Sequence, residues 1–161
     1  MSIVVSDTSP IRALAHLGHV DLLQALFVEV LIPPAVVAEL ERPRSKLPPI
    51  SVQPFRFIRI TPPRNRAAVE ALLFTLGPGE AEALILAIEI GAEAILIDES
   101  AGRAVARQRG LLPVGVLGIL LRAKQRSFIG PLEPLVDRLQ TELGFFISPA
   151  VRKEVLKRAG E

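Results

Sequence analysis

Two acidic residues stand at or just beyond the ends of apolar runs, where a carboxylate needs a chemical partner. Asp7 comes after the run 3–5, and Asp98 comes after the run 94–97 with Glu99 beside it. A carboxylate taken out of water without a partner costs several kcal/mol, and an adjacent carboxylate raises that cost. Either acid alone is more often a helix N-cap than a reactive group. Two of them in equivalent places indicate that a cation or another ligand meets the ends of both strands.

Further acids lie in the segment 79–91, GEAEALILAIEIG. At about 100° per residue, Glu80 shares an apolar stripe with Leu84, whereas Glu82 and Glu89 fall together on the opposite side. We therefore expect Glu82 and Glu89 to solvate the outer face of a helix and Glu80 to point inward. The helix dipole favours an acid in the first turn by only ~0.3–1 kcal/mol, which does not account for an inward carboxylate.

One more acid completes a candidate site. Glu39 in PPAVVAEL flanks an apolar face, and alone it fits a surface residue. Two charges about 4 Å apart repel by ~4 kcal/mol at an effective dielectric of about 20, so converging acids need a cation. All-oxygen ligands suit Mg²⁺ or Mn²⁺, which supply the chemistry of phosphodiester hydrolysis. The candidate catalytic acids are Asp7, Glu39, Glu80 and Asp98.

These acids have to be positioned by alternating strands and helices. Short, nearly continuous apolar runs predict strands at 3–5, 28–32, 55–60, 94–98 and 112–116. Helix signals and periodicity predict helices at 9–18, 19–27, 33–40, 65–76, 79–90, 100–109, 117–126, 131–143 and 149–159. This order predicts an α/β fold, a three-layer α/β/α sandwich with a central parallel sheet. Ligands of such folds bind beyond the carboxyl ends of the strands, where Asp7 and Asp98 stand.

Length and composition predict the organisation of the chain. Its 161 residues favour a single domain over 1–161, with a basic, proline-rich connection at about 42–66 and a helical C-terminal part at about 117–160. The lack of cysteine excludes disulfides and thiolate sites. No signal peptide and no apolar stretch of ~18 residues is present, so we expect a soluble, cytoplasmic protein without a membrane contact. Apolar residues make up 50% of the chain, which favours a homodimer through apolar helix faces.

The connection 42–66 contains seven basic residues, six prolines and no acid, although the net charge of the chain is only +2. Two interpretations stay open: a solvated loop kept soluble by its charges, or a contact to a polyanion such as RNA. Arg42, Arg44 and Lys46 are the candidate nucleic-acid-binding residues. Because the chain has no Trp and no Tyr, RNA would be held mainly through its phosphates.

Four segments carry a resemblance to a known family: VVSDTSPIRALAHLG, IPPAVVAEL, GEAEALILAIEIGAEAILIDE and GLLPVGVLGILLRAKQRSFI. In the order and spacing of its acids the chain resembles the PIN domain, and more narrowly the short prokaryotic PIN-like proteins related to VapC toxins of toxin–antitoxin systems. The resemblance runs over nearly the whole chain. It implies a parallel sheet between helices, a metal-dependent endoribonuclease using Mg²⁺ or Mn²⁺, an RNA substrate and a cognate antitoxin protein as partner.

The resemblance also implies roles for individual residues. Asp7, Glu80 and Asp98 match the acids that hold the metal. Glu39 matches the acid that ends the VxxEL helix and is the fourth catalytic acid. Ser9 matches a small hydroxyl residue that orients water at the metal.

Thr8 and Glu99 stand next to these positions as supporting contacts, although Glu99 fits a solvent-facing residue better. Two positions depart from the pattern of the family. Glu80 stands where many relatives carry Asp, and Val116 stands where the narrower group often has Thr.

Particular residues bear on the alternative functions of the chain. The main alternative is a non-catalytic PIN-like protein that binds nucleic acid or antitoxin and keeps the acids for structure or for one regulatory ion. A phosphoacceptor domain of the bacterial receiver type needs an acidic pair after its first strand, where Asp7 is followed by Thr8, and a late lysine, which VGVLG lacks. His16 and His19 are the only histidines in the sequence. Few residues are therefore present that could form a Ser/His/Asp triad or a multi-histidine zinc site.

Overall fold

The computed structural model describes residues 2–44 and 47–161. In this part of the chain the apolar runs form strands at the predicted places: β1 (Ile3–Ser6), β2 (Glu29–Ile32), β3 (Ile58–Ile60), β4 (Ala94–Leu96) and β5 (Pro113–Val114). They pair in parallel in the order β3-β2-β1-β4-β5. In the register of the central strand, Val4 pairs with Val30 of β2 and Val5 pairs with Ile95 of β4. The predicted parallel sheet is therefore confirmed, although β3 is shorter than the run 55–60.

The predicted helices are also present, and their ends follow the sequence signals. Gly18 and Gly91 terminate two of them in the left-handed conformation, with φ of 76° and 61°. None of the helices in the described ranges is both long and apolar enough to cross a lipid bilayer. The helices are α1 (Thr8–Leu17), α2 (Asp21–Leu26), α3 (Pro34–Glu41), α4 (Arg66–Leu72), α5 (Pro78–Ile90), α6 (Ser100–Gln108), α7 (Val116–Gln125), α8 (Glu133–Glu142) and α9 (Pro149–Arg158).

The sheet is covered on both faces, because successive strand residues point to opposite sides. Val4 and Leu96 belong to a hydrophobic cluster that also contains buried residues of α1, α2, α7 and α8. Val5 and Ile95 belong to a second cluster with α4, α5 and α6. The three-layer α/β/α sandwich predicted from the sequence is confirmed.

Four strands enter helices at the same edge of this sheet. The N-cap positions of α1, α3, α6 and α7 are Asp7, Pro33, Glu99 and Gly115, and each follows the carboxyl end of a strand. The chain therefore returns to this edge after β1, β2, β4 and β5. Neither Asp7 nor Glu99 uses its side chain for the usual capping hydrogen bond, so both carboxylates are available for other contacts.

The expectation that Glu82 solvates an outer face is wrong. Glu82 is only 8% exposed, because α5 is packed against the sheet on one side and against α3 and α4 on the others. Its carboxylate accepts a hydrogen bond from the Ala35 N–H at 3.0 Å and pairs with Arg66 at 2.7 Å. Glu89 is exposed as expected, and it accepts hydrogen bonds from backbone N–H groups of the loop before α4.

Candidate active site

A cavity of about 290 Å³ opens at the carboxyl edge of the sheet, and we call it the acid cavity. Both acids and arginines line it. An adjoining cavity of about 630 Å³ shares Ser9, Arg12, Arg44 and Glu99 with it and adds Asp98. The charged and hydroxyl residues of the acid cavity are Asp7, Glu39, Glu80, Glu99, Arg12, Arg42, Arg44, Thr8 and Ser9.

Asp7 is the most buried of the acids, with 4% of its surface exposed. Burial, followed by the negative charges of Glu80, Glu39 and Glu99, raises the pKa of its carboxyl to about 7, against a hydrogen bond from the Thr8 backbone that lowers it. The ionised form of Asp7 is therefore disfavoured at neutral pH unless a positive charge stands beside it.

Glu80 lies in the first turn of α5 and is half-buried, as its apolar stripe predicts. Burial raises the pKa of its carboxyl, and the charge of Glu99 adds to that effect. Its Oε2 atom is buried and has no hydrogen-bond partner among the described residues. Gly102 of α6 leaves the room for this atom, because a Cβ at that position would lie 2.6 Å from Oε2.

Asp98 is held from the other side of the sheet edge. Its Oδ1 accepts a hydrogen bond from the Val116 N–H at 2.9 Å, at the start of α7. Burial raises the pKa of its carboxyl to about 6, although the Val116 N–H, the Arg103 charge and the nearby Ser9 hydroxyl all lower it. Its Oδ2 atom is buried without a hydrogen-bond partner in the described ranges. Asp98 thus offers one fixed and one free oxygen.

Glu39, by contrast, has both carboxylate oxygens in use. The Thr8 hydroxyl donates to Oε2, and the Gly79 N–H donates to Oε1 at 3.3 Å. A Cβ at Gly79 would overlap the Glu39 carboxylate, so the glycine allows α5 to approach α3. Glu39 is therefore half-buried and joins α1, α3 and α5, which its pattern as an isolated surface residue did not indicate.

The remaining candidates lie at the rim. Glu99 is exposed, as expected, yet it lines the acid cavity and its charge raises the pKa of Asp7 and Glu80. Arg42 and Arg44 are exposed and also line this cavity. Lys46 lies outside the described residues.

The acids gathered here agree with a comparison of the whole sequence. A sequence model of the family DUF3368, described as a PIN domain, matches residues 3–161. The chain belongs to the PIN-domain family. The resemblance seen in the four sequence segments is thereby confirmed at the level of the PIN domain, a nuclease-like fold. No curated protein matches the chain.

The donor set of this PIN domain suits a hard divalent cation, but it is not a closed cage. No three histidine, cysteine, aspartate or glutamate side chains within residues 2–44 and 47–161 lie in an arrangement that holds a metal ion. Mg²⁺ is usually bound through one or two carboxylates, with waters and substrate phosphate oxygens in its other positions. The unpartnered oxygens of Glu80 and Asp98 and the disfavoured charge of Asp7 fit that requirement.

Arg12 is the residue of this PIN domain that the motif analysis missed. It lies on α1 one turn after Thr8, which places both on the same face of the helix. Only 7% of its surface is exposed, and its Nη2 donates to the Glu39 carbonyl oxygen at 2.6 Å. The i, i+4 spacing from Thr8 was the available signal, but a charged residue at that position is ordinarily assigned to a solvated face.

Proposed function

We propose that this PIN domain is a divalent-metal-dependent endoribonuclease that hydrolyses RNA phosphodiesters in the cytoplasm, with Asp7, Glu39, Glu80 and Asp98 as its catalytic acids. The observation that carries the proposal is the pair of buried carboxylate oxygens, Glu80 Oε2 and Asp98 Oδ2, that have no hydrogen-bond partner among the described residues. Buried polar atoms are nearly always paired, so unpaired carboxylate oxygens beside open cavities support a bound cation.

Mg²⁺ or Mn²⁺ fits this donor set, with Asp7, Glu80 and Asp98 as the residues that would hold it. When bound, such an ion stabilises negative charge on the phosphate and makes a nearby water more acidic. The positive charge also favours the ionised forms of the three acids, whose pKa values burial raises.

The other residues of the site hold its helices in position and orient water. Glu39 fixes the distance between α1 and α5 through Thr8 and Gly79, which holds the strand end at Asp7 against the first turn of α5. Ser9 lines both cavities, and its hydroxyl can orient an attacking water between them. We assign Ser9 as the water-orienting residue and Thr8 as the contact that fixes Glu39.

We further propose that the protein is the toxin component of a toxin–antitoxin pair, which implies a cognate antitoxin protein and a homodimer. The support for this part is the resemblance to short VapC-related proteins. Exposed aromatic side chains on the described surface, Phe74 at 92% and Phe146 at 94%, agree with an additional protein partner.

One observation favours a second candidate function, a non-catalytic PIN-like protein that binds nucleic acid or antitoxin. In the described ranges no three acids are arranged to hold a metal ion, so a competent site requires side-chain movement on binding. The non-catalytic protein would bind RNA without cutting it in any metal.

The test is cleavage of a mixed RNA substrate by the purified protein in Mg²⁺, in Mn²⁺ and in EDTA. Asp7→Asn prepared in the same way should abolish cleavage. Asp21→Asn is the matched control, because Asp21 is exposed in the first turn of α2 and is not part of either cavity. Metal-dependent cleavage that is lost only in Asp7→Asn supports the nuclease. RNA binding without cleavage in either metal would favour the non-catalytic protein.

A further inference from the structure

Arg12 is a buried cation with unused donors. Its Nε and Nη1 atoms are buried and have no hydrogen-bond partner among the described residues, and its Nη2 is bound to the Glu39 carbonyl oxygen. Only 7% of the residue is exposed. A guanidinium group presents its N–H donors in a planar fork that suits two oxygens of a phosphate or carboxylate. Buried N–H donors of a charged group without an acceptor are costly, as are buried carboxylate oxygens without a donor.

The surroundings of Arg12 add to this cost. Desolvation lowers the pKa of the guanidinium, and the positive charge of Arg44 lowers it further, against the charge of Glu39 that raises it. The Glu39 carboxylate does not pair with Arg12, because its two oxygens accept from Thr8 and Gly79. An anion in the cavity would accept hydrogen bonds from the unpartnered donors of Arg12. It would also offset the repulsion between the guanidinium groups of Arg12 and Arg44.

The position of Arg12 identifies where that anion would lie. Arg12 lines both the acid cavity and the adjoining cavity, so it borders the space beside Asp7 and the space beside Asp98. The acid cavity, at about 290 Å³, is at the lower end of the ~300–1,000 Å³ range of ligand pockets. Besides the acids, Arg12, Arg42 and Arg44 line this space.

We propose that Arg12 is the centre of a phosphate-binding site, which holds a phosphate of the RNA backbone in the acid cavity that Arg42 and Arg44 also line. The guanidinium edge that does not face the Glu39 carbonyl, formed by Nη2 with either Nε or Nη1, donates to two oxygens of one phosphate, while Arg44 at the rim adds charge. The RNA part of this proposal rests on the proposed function, but the phosphate site itself does not require catalysis.

The first arm of the test measures binding of inorganic phosphate in EDTA, by thermal shift and by ³¹P NMR titration at constant ionic strength. Loss of a two-point, charge-assisted contact in Arg12→Gln should weaken phosphate binding by about 10- to 100-fold. Arg109→Gln is the matched control, since Arg109 is exposed at the C-cap of α6, the end of that helix away from the site. It should bind phosphate as the wild type does.

The second arm uses a 2′-O-methyl RNA oligonucleotide, which resists cleavage, and records log Kd against log salt concentration in EDTA. Removing one phosphate contact should make the slope shallower by about 0.7 in Arg12→Gln and leave it unchanged in Arg109→Gln. If Arg12→Gln does not fold, Arg12→Lys replaces it, because lysine keeps the charge but loses the fork; phosphate binding should then weaken by about tenfold.

No phosphate binding by the wild type, equal binding by wild type and the Arg12 variant, or an unchanged RNA salt slope would each overturn the proposal. A merely structural Arg12, which only ties α1 to the end of α3, predicts a lower Tm with phosphate affinity and salt slope intact. If metal-dependent cleavage is absent but both binding effects are present, the nuclease proposal is wrong and the phosphate site is still supported.

Discussion

Replacing Asp7 by Asn tests the physical basis of the acid cluster without any assumption about the substrate. Burial raises the pKa of Asp7 from 3.8 to about 7. The folded protein therefore binds more protons than the unfolded chain between about pH 4 and about pH 7, and its stability falls as the pH rises through that window. At about 1.4 kcal/mol per pKa unit, the stability lost by about pH 8 is ~4 kcal/mol. The amide of the variant does not ionise and escapes this loss.

The assay is urea-induced unfolding in EDTA across the range from about pH 3 to about pH 8. Near pH 3 we expect equal stabilities, because the wild-type carboxyl is largely protonated in both states. Near pH 8 the Asp7→Asn variant should be more stable by up to ~4 kcal/mol, which corresponds to ~8–16 °C in Tm for a chain of this size. Asp21→Asn should follow the wild type. Mg²⁺ should stabilise the wild type above pH 7 more than the variant, since the ion binds the ionised carboxylate. Parallel pH profiles for wild type and Asp7→Asn would refute the reasoning.

Two further substitutions test the position of Asp98 and the packing of α3 on α5. In Gly115→Ala the new Cβ would lie 2.7 Å from Asp98 Oδ1, so we expect the carboxylate to move and cleavage to fall by about 10²-fold, measured on the same RNA. Gly130→Ala, where the Cβ meets nothing within 4 Å, is its control; equal cleavage by both variants would contradict the role of Asp98. Glu82→Ala removes the acceptor of the Ala35 N–H and should lower the unfolding free energy by ~1–3 kcal/mol in urea titrations, and an unchanged value would show that this buried carboxylate is not needed to hold α3 on α5.

Much of the fold could be predicted because its signals are local. The strands are short apolar runs, and Gly18, Pro34 and Gly91 mark helix ends through backbone preferences that act within a few residues. The parallel arrangement follows from the alternation of strands and helices. The placement of Asp7 and Asp98 at one sheet edge then follows from topology alone.

Local sequence patterns did not predict the contacts between residues that are far apart along the chain. Glu82 was expected at the surface because a helix of an α/β fold normally exposes one face, yet α5 is covered on several sides by other helices. The bonds of Glu39 to Thr8 and Gly79 join residues 31 and 40 positions apart, for which no periodicity exists. Glycines 79, 102 and 115 give no signal of their own until the carboxylates beside them are located.

The two kinds of charged residue that line the acid cavity call for one ligand. Asp7 and Glu80 resist ionisation because burial and the charges of neighbouring acids oppose it. Arg12 carries buried donors without acceptors among the described residues, and the charge of Arg44 lowers its pKa. The Glu39 carboxylate does not pair with Arg12, since its oxygens are bound to Thr8 and Gly79. A phosphodiester with a divalent cation carries both signs of charge and would satisfy the acids and the arginines at once. We therefore expect each component to lower the cost of binding the other, so that metal and phosphate affinity rise together.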